Sequence, residues 1–390
     1  MRSPVSGLTT RGRCLIAAGV ACAACAVMLD ERDLLRIGAL LIALPILSAL
    51  VCRSSLLRLQ ITRTVRPQPL SVGHGAEVEL QLRAGSRSSV AGLLLSDTMP
   101  ASCGTTTRYT LGGLKSGAAA SVRYPLTPRL RGRHQLGPLQ ICLADPLGLV
   151  EMVRTVGEPT SVLVRPKIVS LAGGFGAAAA GAEHGAPPHA LAPTVRDAQL
   201  RAYTPGDDTR SIHWASTARR DELMVRTAEH GQGAGTVVLL DNRRSAHGGT
   251  GEQASLERAI SLTASIAEHL RRMGTPVRVL TTDGVPLAAA PALLDQLALL
   301  ALTDQLDLGG VLRLAGGDGL IAVFGRVDER TAAALLDGRG GGRTACAVHL
   351  LPSPGVAALN AAGWNVVQAA GATPQAQLWS VLGEQGAGIR

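Results

Sequence analysis

The chain has 390 residues, of which 46% are hydrophobic and only 2% aromatic, and its formal net charge is +9. That length leaves room for two or three domains, and the apolar excess calls for a membrane segment. The scarcity of aromatic side chains speaks against a nucleic-acid binder that stacks bases.

Residues 14–29 (CLIAAGVACAACAVML) are uncharged and apolar, and follow Arg2, Arg11 and Arg13. After Asp30-Glu31-Arg32-Asp33, a second apolar run at residues 34–52 is interrupted only by Arg36. Each run makes a helix of roughly 25 Å, adequate for an adjusted bilayer. Arg36 lies near one end and can snorkel to the interface. So short a turn predicts a transmembrane helical hairpin within residues 1–55. Arg53, Arg58, Arg63 and Arg66 follow it, so basic residues flank both outer ends. By the positive-inside rule, both termini and the soluble domains of this multi-pass membrane protein are expected in the cytoplasm. A cleaved leader is the competing reading of residues 1–26, with Ala24 and Ala26 as small residues and Cys25 as a weak lipoprotein site. The second run and the arginines behind it favour the hairpin.

Residues 56–170 change to short alternating runs separated by Gly, Pro and Ser, as at 77–83 (EVELQLR), 93–96, 120–125 and 161–164. Period-two alternation at this spacing predicts a β-rich, sandwich-like domain. Pro67, Pro69, Pro100, Pro125 and Pro128 punctuate it at edges or turns. Residues 129–150 (RLRGRHQLGPLQICLADPLGLV) read as a set of turns, at Arg131–His134, at Gly137-Pro138 and at Asp145–Gly148, with His134 and Asp145 too far apart in sequence to argue as a catalytic pair.

The charge is concentrated here. Residues 1–52 carry 5 basic and 3 acidic side chains, residues 53–170 carry 15 and 6, and residues 171–390 carry 18 and 20. A basic domain behind a hydrophobic hairpin points to anionic membrane lipid rather than nucleic acid. The seven cysteines form no metal or disulfide framework and read as buried free thiols of a reducing compartment.

Residues 171–195 are Gly-, Ala- and Pro-rich and read as a linker. From residue 236 onward strands and helices alternate. Strands are predicted at 236–241 (TVVLLD), 277–282, 320–324, 345–351 and 365–367. Helices are predicted at 253–273, 291–302, 329–336, 356–362 and 374–382, the first with Leu256, Ile260, Ala264, Ala267 and Leu270 on one face. The domain, residues 196–390, is therefore α/β and Rossmann-type, with a largely parallel sheet and helices on both faces.

In such sheets functional groups collect beyond the carboxyl ends of the strands. Those ends carry Asp241-Asn242-Arg243-Arg244-Ser245, Thr281-Thr282-Asp283-Gly284 and Gly325-Arg326. The first has the position of the metal-binding loop of a von Willebrand factor A domain, where an Asp and two hydroxyls supply hard oxygen ligands for Mg²⁺. Asp241 and Ser245 fit, and Asp283 is a further acid within the candidate metal set. Arg243, however, takes the place of the middle hydroxyl and brings positive charge that opposes a divalent cation. The plain reading is that Asp241 ends a strand and caps the next segment, so no cofactor is expected. There is no Gly-rich phosphate loop after a strand and no Gly-x-Ser-x-Gly elbow, so enzyme readings have little to stand on.

Residues 200–226 (LRAYTPGDDTRSIHWASTARRDELMVR) are unusually dense in polar groups. Asp207, Asp208 and His213 suggest an acid/base or metal cluster. The near balance of acids with Arg210, Arg219 and Arg220 instead favours a self-paired segment anchored by Trp214, with a partner-binding surface as the second reading. Tyr203-Thr204-Pro205-Gly206-Asp207-Asp208-Thr209-Arg210-Ser211-Ile212-His213-Trp214, continuing through Ala218 and Arg219 to Arg226, closely resembles the signature of domain-of-unknown-function family fifty-eight. Residues 131–139 (RGRHQLGPL), residues 145–149 (DPLGL) and the two-helix start are also similar to that family.

The resemblance implies a bacterial membrane-anchored protein with a von Willebrand factor A-like domain. Such proteins are often encoded beside MoxR-type AAA+ ATPases and transglutaminase-like membrane proteins, and the C-terminal domain is thought to serve the ATPase. The expectation is a non-enzymatic adaptor. The alternative is a metal-dependent hydrolase or ligand-binding module that uses Asp241, Ser245 and Asp283, together with Asp207 and Asp208.

Overall fold

The computed structural model describes residues 7–57, 59–85, 92–173, 199–202, 224–227, 235–284, 286–305, 308, 311, 319–338, 344–369 and 373–387. It divides into two compact units, Met1–Pro166 and Lys167–Arg390.

The first unit opens with α1 (Thr10–Leu29) and α2 (Arg32–Leu57). Thr9 caps α1 by accepting from Gly12 N at 3.2 Å, and Asp30, at φ 52°, ends it in the left-handed region. The two helices touch through glycines: a Cβ on Gly38 would lie 2.9 Å from Gly19 O. Small residues at such crossings let helix backbones approach closely. Their outward faces are apolar, with Leu40 65% and Val27 76% exposed. Two stretches, Thr10–Leu29 and Arg32–Ser54, are long and apolar enough to cross a membrane. Both helices outrun the apolar segments that announce them, because Arg11, Arg13 and Arg53 satisfy their backbone within the helix as well as any apolar residue would.

Ten strands follow: β1 (Gln60–Arg66), β2 (Leu70–Ser71), β3 (Ala76–Arg83), β4 (Leu93–Asp97), β5 (Thr107–Leu111), β6 (Ala119–Leu126), β7 (Gly132–Leu136), β8 (Leu139–Ala144), β9 (Glu151–Val156) and β10 (Thr160–Arg165). They form sheets of order β1-β3-β6, β2-β10-β7 and β5-β4-β8-β9. Alternation does the sorting: in β3, Ala76, Val78, Leu80 and Leu82 are buried while Glu77, Gln81 and Arg83 face out. All three sheets contribute to one core, with Leu80, Leu95, Ile141 and Val164 fully buried. Residues 129–150 are not only turns. The expected turn at Arg131–His134 is mostly strand β7, and β8 follows beyond Gly137-Pro138.

An ion pair crosses this core. Arg63 donates to Asp97 through Nη2 at 2.7 Å and Nε at 3.2 Å, and also to Leu136 O at 2.8 Å. The Tyr124 hydroxyl donates to the same carboxylate. Burial first, then this bond to Asp97, raises the Tyr124 pKa above its ordinary value.

The second unit contains a short antiparallel pair, β11 (Gln199–Ala202) and β12 (Met224–Thr227), with Leu200 opposite Arg226. A five-stranded sheet follows, built from β13 (Thr236–Leu240), β14 (Val277–Thr281), β15 (Gly319–Phe324), β16 (Thr344–His349) and β17 (Asn365–Gln368). Its order is β14-β13-β15-β16-β17, and every pairing is parallel. The helices are α3 (Ser255–Arg272), α4 (Ala292–Leu299), α5 (Glu329–Gly338), α6 (Val356–Ala361) and α7 (Gln375–Ala387).

Successive β13 residues divide between two cores. Val238 and Leu240 pack with Ile260 and Leu270 of α3, Leu297 of α4 and Leu378 of α7. Val237 and Leu239 pack with Leu335 of α5 and Leu359 of α6. Helices thus cover both faces, as a fully buried parallel sheet requires. Residues 167–173 belong to this unit: Leu171 is buried in the first of these cores, and Gly173 O accepts from His269 Nε2 at 2.7 Å.

Candidate functional site

Counted from β13, the strand order is 2-1-3-4-5, so the chain leaves β13 and β15 in opposite directions across the sheet. That divergence opens a crevice at the carboxyl ends of β13 and β15, where doubly wound sheets hold their ligands. In this chain the crevice is filled from within.

Asp241 follows β13 directly and is completely buried, and Arg243 is only 5% exposed. Arg243 turns back onto Asp241 with Nε at 2.9 Å from Oδ1 and Nη2 at 2.9 Å from Oδ2. Its backbone amide adds a third bond to Oδ1 at 3.0 Å. This is a bidentate fork, the strongest form of Arg–carboxylate contact. Nη2 also donates to Thr331 Oγ1 at 3.0 Å, which ties the strand end to α5. Asp328 in turn caps α5 by accepting from Thr331 N at 2.7 Å. Its carboxyl is held below the ordinary value, first by the Thr331 hydroxyl, with Arg243 adding to the effect.

The neighbouring groups are fastened in the same way. Asn242 donates to Ala301 O at 3.1 Å, and its Oδ1 accepts from the amide and hydroxyl of Thr282 at the end of β14. His247 Nε2 lies 2.6 Å from Asp241 O and its Nδ1 lies 2.9 Å from Ser255 Oγ. Burial pushes the imidazole below its usual value, so the neutral ring donates from Nε2 and accepts at Nδ1. Ser255 Oγ also accepts from Gly248 N at 3.0 Å and is 3% exposed, so the His–Ser contact pins a loop to α3 and does not present a nucleophile. Above β15, a Cβ on Gly325 would lie 2.1 Å from Ala246 O, so the loop after β13 lies directly on the strand-end backbone.

The expected metal set is dispersed. Asp241 faces Arg243, Ser245 sits exposed in a 3₁₀ turn at Arg244–Ala246, and Asp283 lies exposed after β14, where it accepts from Thr281. Among the described residues no group of three or more His, Cys, Asp or Glu converges as a metal site would need. Both oxygens of the best-placed carboxylate already bind a guanidinium, so the pocket's cation is a side chain. Of the signature candidates, Tyr203, Pro205, Gly206, Asp207, Asp208, Arg210, His213, Trp214, Ala218 and Arg219 lie outside the described residues, and Arg226 lies in β12. Asn242 and Thr282 lie in the strand-end runs expected from the sequence, whereas Thr331, Asp328, His247 and Ser255 escape sequence reading. Arg243, out of place between Asp241 and Ser245, is the one signal that points to them.

No curated protein matches the chain. Among solved structures, a β-glucosidase from Listeria innocua in complex with gluconolactone aligns at 14% identity over 27% of this chain and 16% of its own, with a TM-score of 0.18. The Pseudomonas fluorescens alkylpurine DNA glycosylase AlkC bound to abasic DNA aligns at 12% identity over 40% of this chain and 46% of its own, with a TM-score of 0.19. The aligned parts thus span less than half of either protein, and scores so low carry no argument about fold or activity. Residues 199–308, a segment that begins at β11 and takes in β13 and the Asp241–Arg243 pair, match the model of "Protein of unknown function DUF58".

Proposed function

We propose that the chain is a membrane-anchored, non-enzymatic adaptor. Its hairpin spans the bilayer with both termini inside the cell, its basic β unit lies against the anionic inner leaflet, and its α/β unit, of the von Willebrand factor A-like kind, binds a protein. A MoxR-type AAA+ ATPase is the proposed partner, and a transglutaminase-like membrane protein is a further member of the assembly.

The observation that supports this most is the closed crevice. With Arg243 bonded to both oxygens of Asp241 and to Thr331, the usual ligand position of a doubly wound sheet is spoken for. That leaves the outer surfaces to do the binding. The same pair counts against a Mg²⁺-dependent hydrolase built on Asp241, Ser245 and Asp283, since a divalent cation would have to displace a guanidinium from its carboxylate.

The test is to solubilise the full chain from membranes and mix it with the purified MoxR-type ATPase of the same source, with and without ATP. Co-elution as one complex is expected. A partner-free monomer under every nucleotide condition would overturn the reading. A reporter fused at the C-terminus that is active only outside the cell would overturn the orientation.

A further inference from the structure

We infer that the turn at residues 145–150 is a second membrane contact, which seats Leu147 in the phospholipid headgroup layer beside the hairpin. The inference rests on the hairpin spanning a bilayer.

The turn is rigid and is fixed to the start of α1. Asp145 Oδ1 accepts from Val150 N at 2.7 Å, Oδ2 accepts from Leu147 N at 3.2 Å, and Gly148 N donates to Asp145 O at 3.0 Å. Three contacts join it to the helix. Thr9 N donates to Leu149 O at 3.0 Å, Thr9 Oγ1 donates to Gly148 O at 2.7 Å, and a Cβ on Gly12 would lie 2.3 Å from Leu149 O. Any side chain at position 12 would push the turn away, so the first turn of α1 and this β turn share one level. Leu147 stands at the tip of the turn, 55% exposed, whereas Leu149 and Val150 beside it are buried.

That level is the membrane boundary. Apolar sequence begins at Cys14 in α1 and ends at Cys52 in α2, and the exposed Arg11, Arg13 and Arg53 stand just outside it. The other end of the hairpin exposes Asp30, Glu31, Arg32 and Asp33. The cations therefore collect at the end where Leu147 is held, as the cytoplasmic side requires. An exposed leucine among arginines at that height has an apolar side chain for the acyl boundary and neighbours for lipid phosphate. In water this leucine is merely exposed; at the bilayer surface it is an anchor that fixes the tilt of the β unit.

Position 74 serves as the internal control. β1 starts at Gln60, close behind α2, and pairs there with Arg83, while His74 is exposed beyond the opposite end of β3. The eight residues of β3 separate it from the Arg83 end of the strand by roughly 25 Å. The photoreactive residue p-benzoyl-phenylalanine is placed singly at Leu147, at His74 and at the exposed Leu40 of α2. Each full-length protein is reconstituted in vesicles of phosphatidylcholine and phosphatidylglycerol and irradiated, and lipid adducts are measured by mass spectrometry.

Adduct at Leu147 is expected to exceed that at His74 by about tenfold, the partition that burial of one leucine side chain gives. Adduct at Leu40 without an excess at Leu147 would overturn the inference and leave the spanning hairpin standing. Crosslinking of position 147 to protein in place of lipid would overturn it as well. Absence of adduct at both Leu40 and Leu147 would overturn the hairpin reading and this inference together.

Discussion

Replacing Arg243 with Met removes the guanidinium from Asp241 while keeping a side chain of similar length. The carboxylate then retains one donor, the backbone amide at position 243, out of the three it has now. Because Asp241 is fully buried, the stranded charge has no water to turn to. Thr331 Oγ1 loses a donor as well. Breaking a buried pair from one side costs about 3–5 kcal/mol, and the two side-chain bonds lost here place Arg243→Met within that range. The assay is urea unfolding of the full chain in detergent, followed by tryptophan emission. All three tryptophans, Trp214, Trp364 and Trp379, lie in the second unit, so the signal reports that unit alone. In a double-mutant cycle, Asp241→Asn in the Arg243→Met background should recover much of the loss, with a coupling of roughly 2–3 kcal/mol. A single-variant loss below about 1 kcal/mol, the value of an exposed ion pair, would refute the closed-crevice account.

Three further outcomes follow from the same geometry. Gly325→Ala should force the loop after β13 off the strand ends, because the added methyl would sit 2.1 Å from the backbone oxygen of Ala246; hydrogen exchange at residues 244–248 should rise, and unchanged exchange would refute the close approach. Tyr124→Phe should cost roughly 2 kcal/mol, the value of a hydrogen bond to a buried carboxylate, read as a lower urea midpoint for protease resistance of the β unit; wild-type resistance would show that Asp97 needs only Arg63. The Glu268 carboxyl is pulled down to about 2, mainly by the Arg271 hydrogen bond and then by Arg272, from an ordinary value of 4.5. A depressed carboxylate stabilises above the ordinary value and loses that contribution as pH falls through the folded one. Glu268→Gln should therefore lower the melting temperature at pH 6, and the difference should vanish towards pH 2; a pH-independent difference would assign the effect to packing.

The hairpin and the parallel sheet are legible in the sequence because each is built from uninterrupted apolar runs, which in the sheet are strands buried on both faces. β13 reads TVVLL with all five residues buried, and β15, GLIAVF, has five of six buried. Edges and half-exposed strands leave a weaker trace. In β9 (EMVRTV) no residue is fully buried, and in β7 (GRHQL) only Leu136 is, so neither presents an apolar row, and glycine and proline nearby suggest turns. Boundaries drift for a related reason. α1 starts where its backbone is capped, at Thr9, and not where hydropathy changes at Cys14.

The site is harder to read because its partners are remote. Arg243 reaches Asp241 two residues away but also Thr331, 88 residues further on, and Asn242 reaches Thr282 across 40 residues. No local pattern predicts such pairs; only the strand order that brings the ends of β13, β14 and β15 together can. What the sequence does offer is a chemical contradiction, a guanidinium where a hydroxyl would serve a metal. A metal ion binds strand-end oxygens from outside and can leave, whereas Arg243 is covalently part of the loop it closes. Exchanging one cation for the other therefore turns a ligand-dependent crevice into a permanent joint between β13 and α5. If the α/β unit recognises a partner, its response cannot run through occupancy of that crevice, and the outer faces of the unit are where variants should change binding without changing stability.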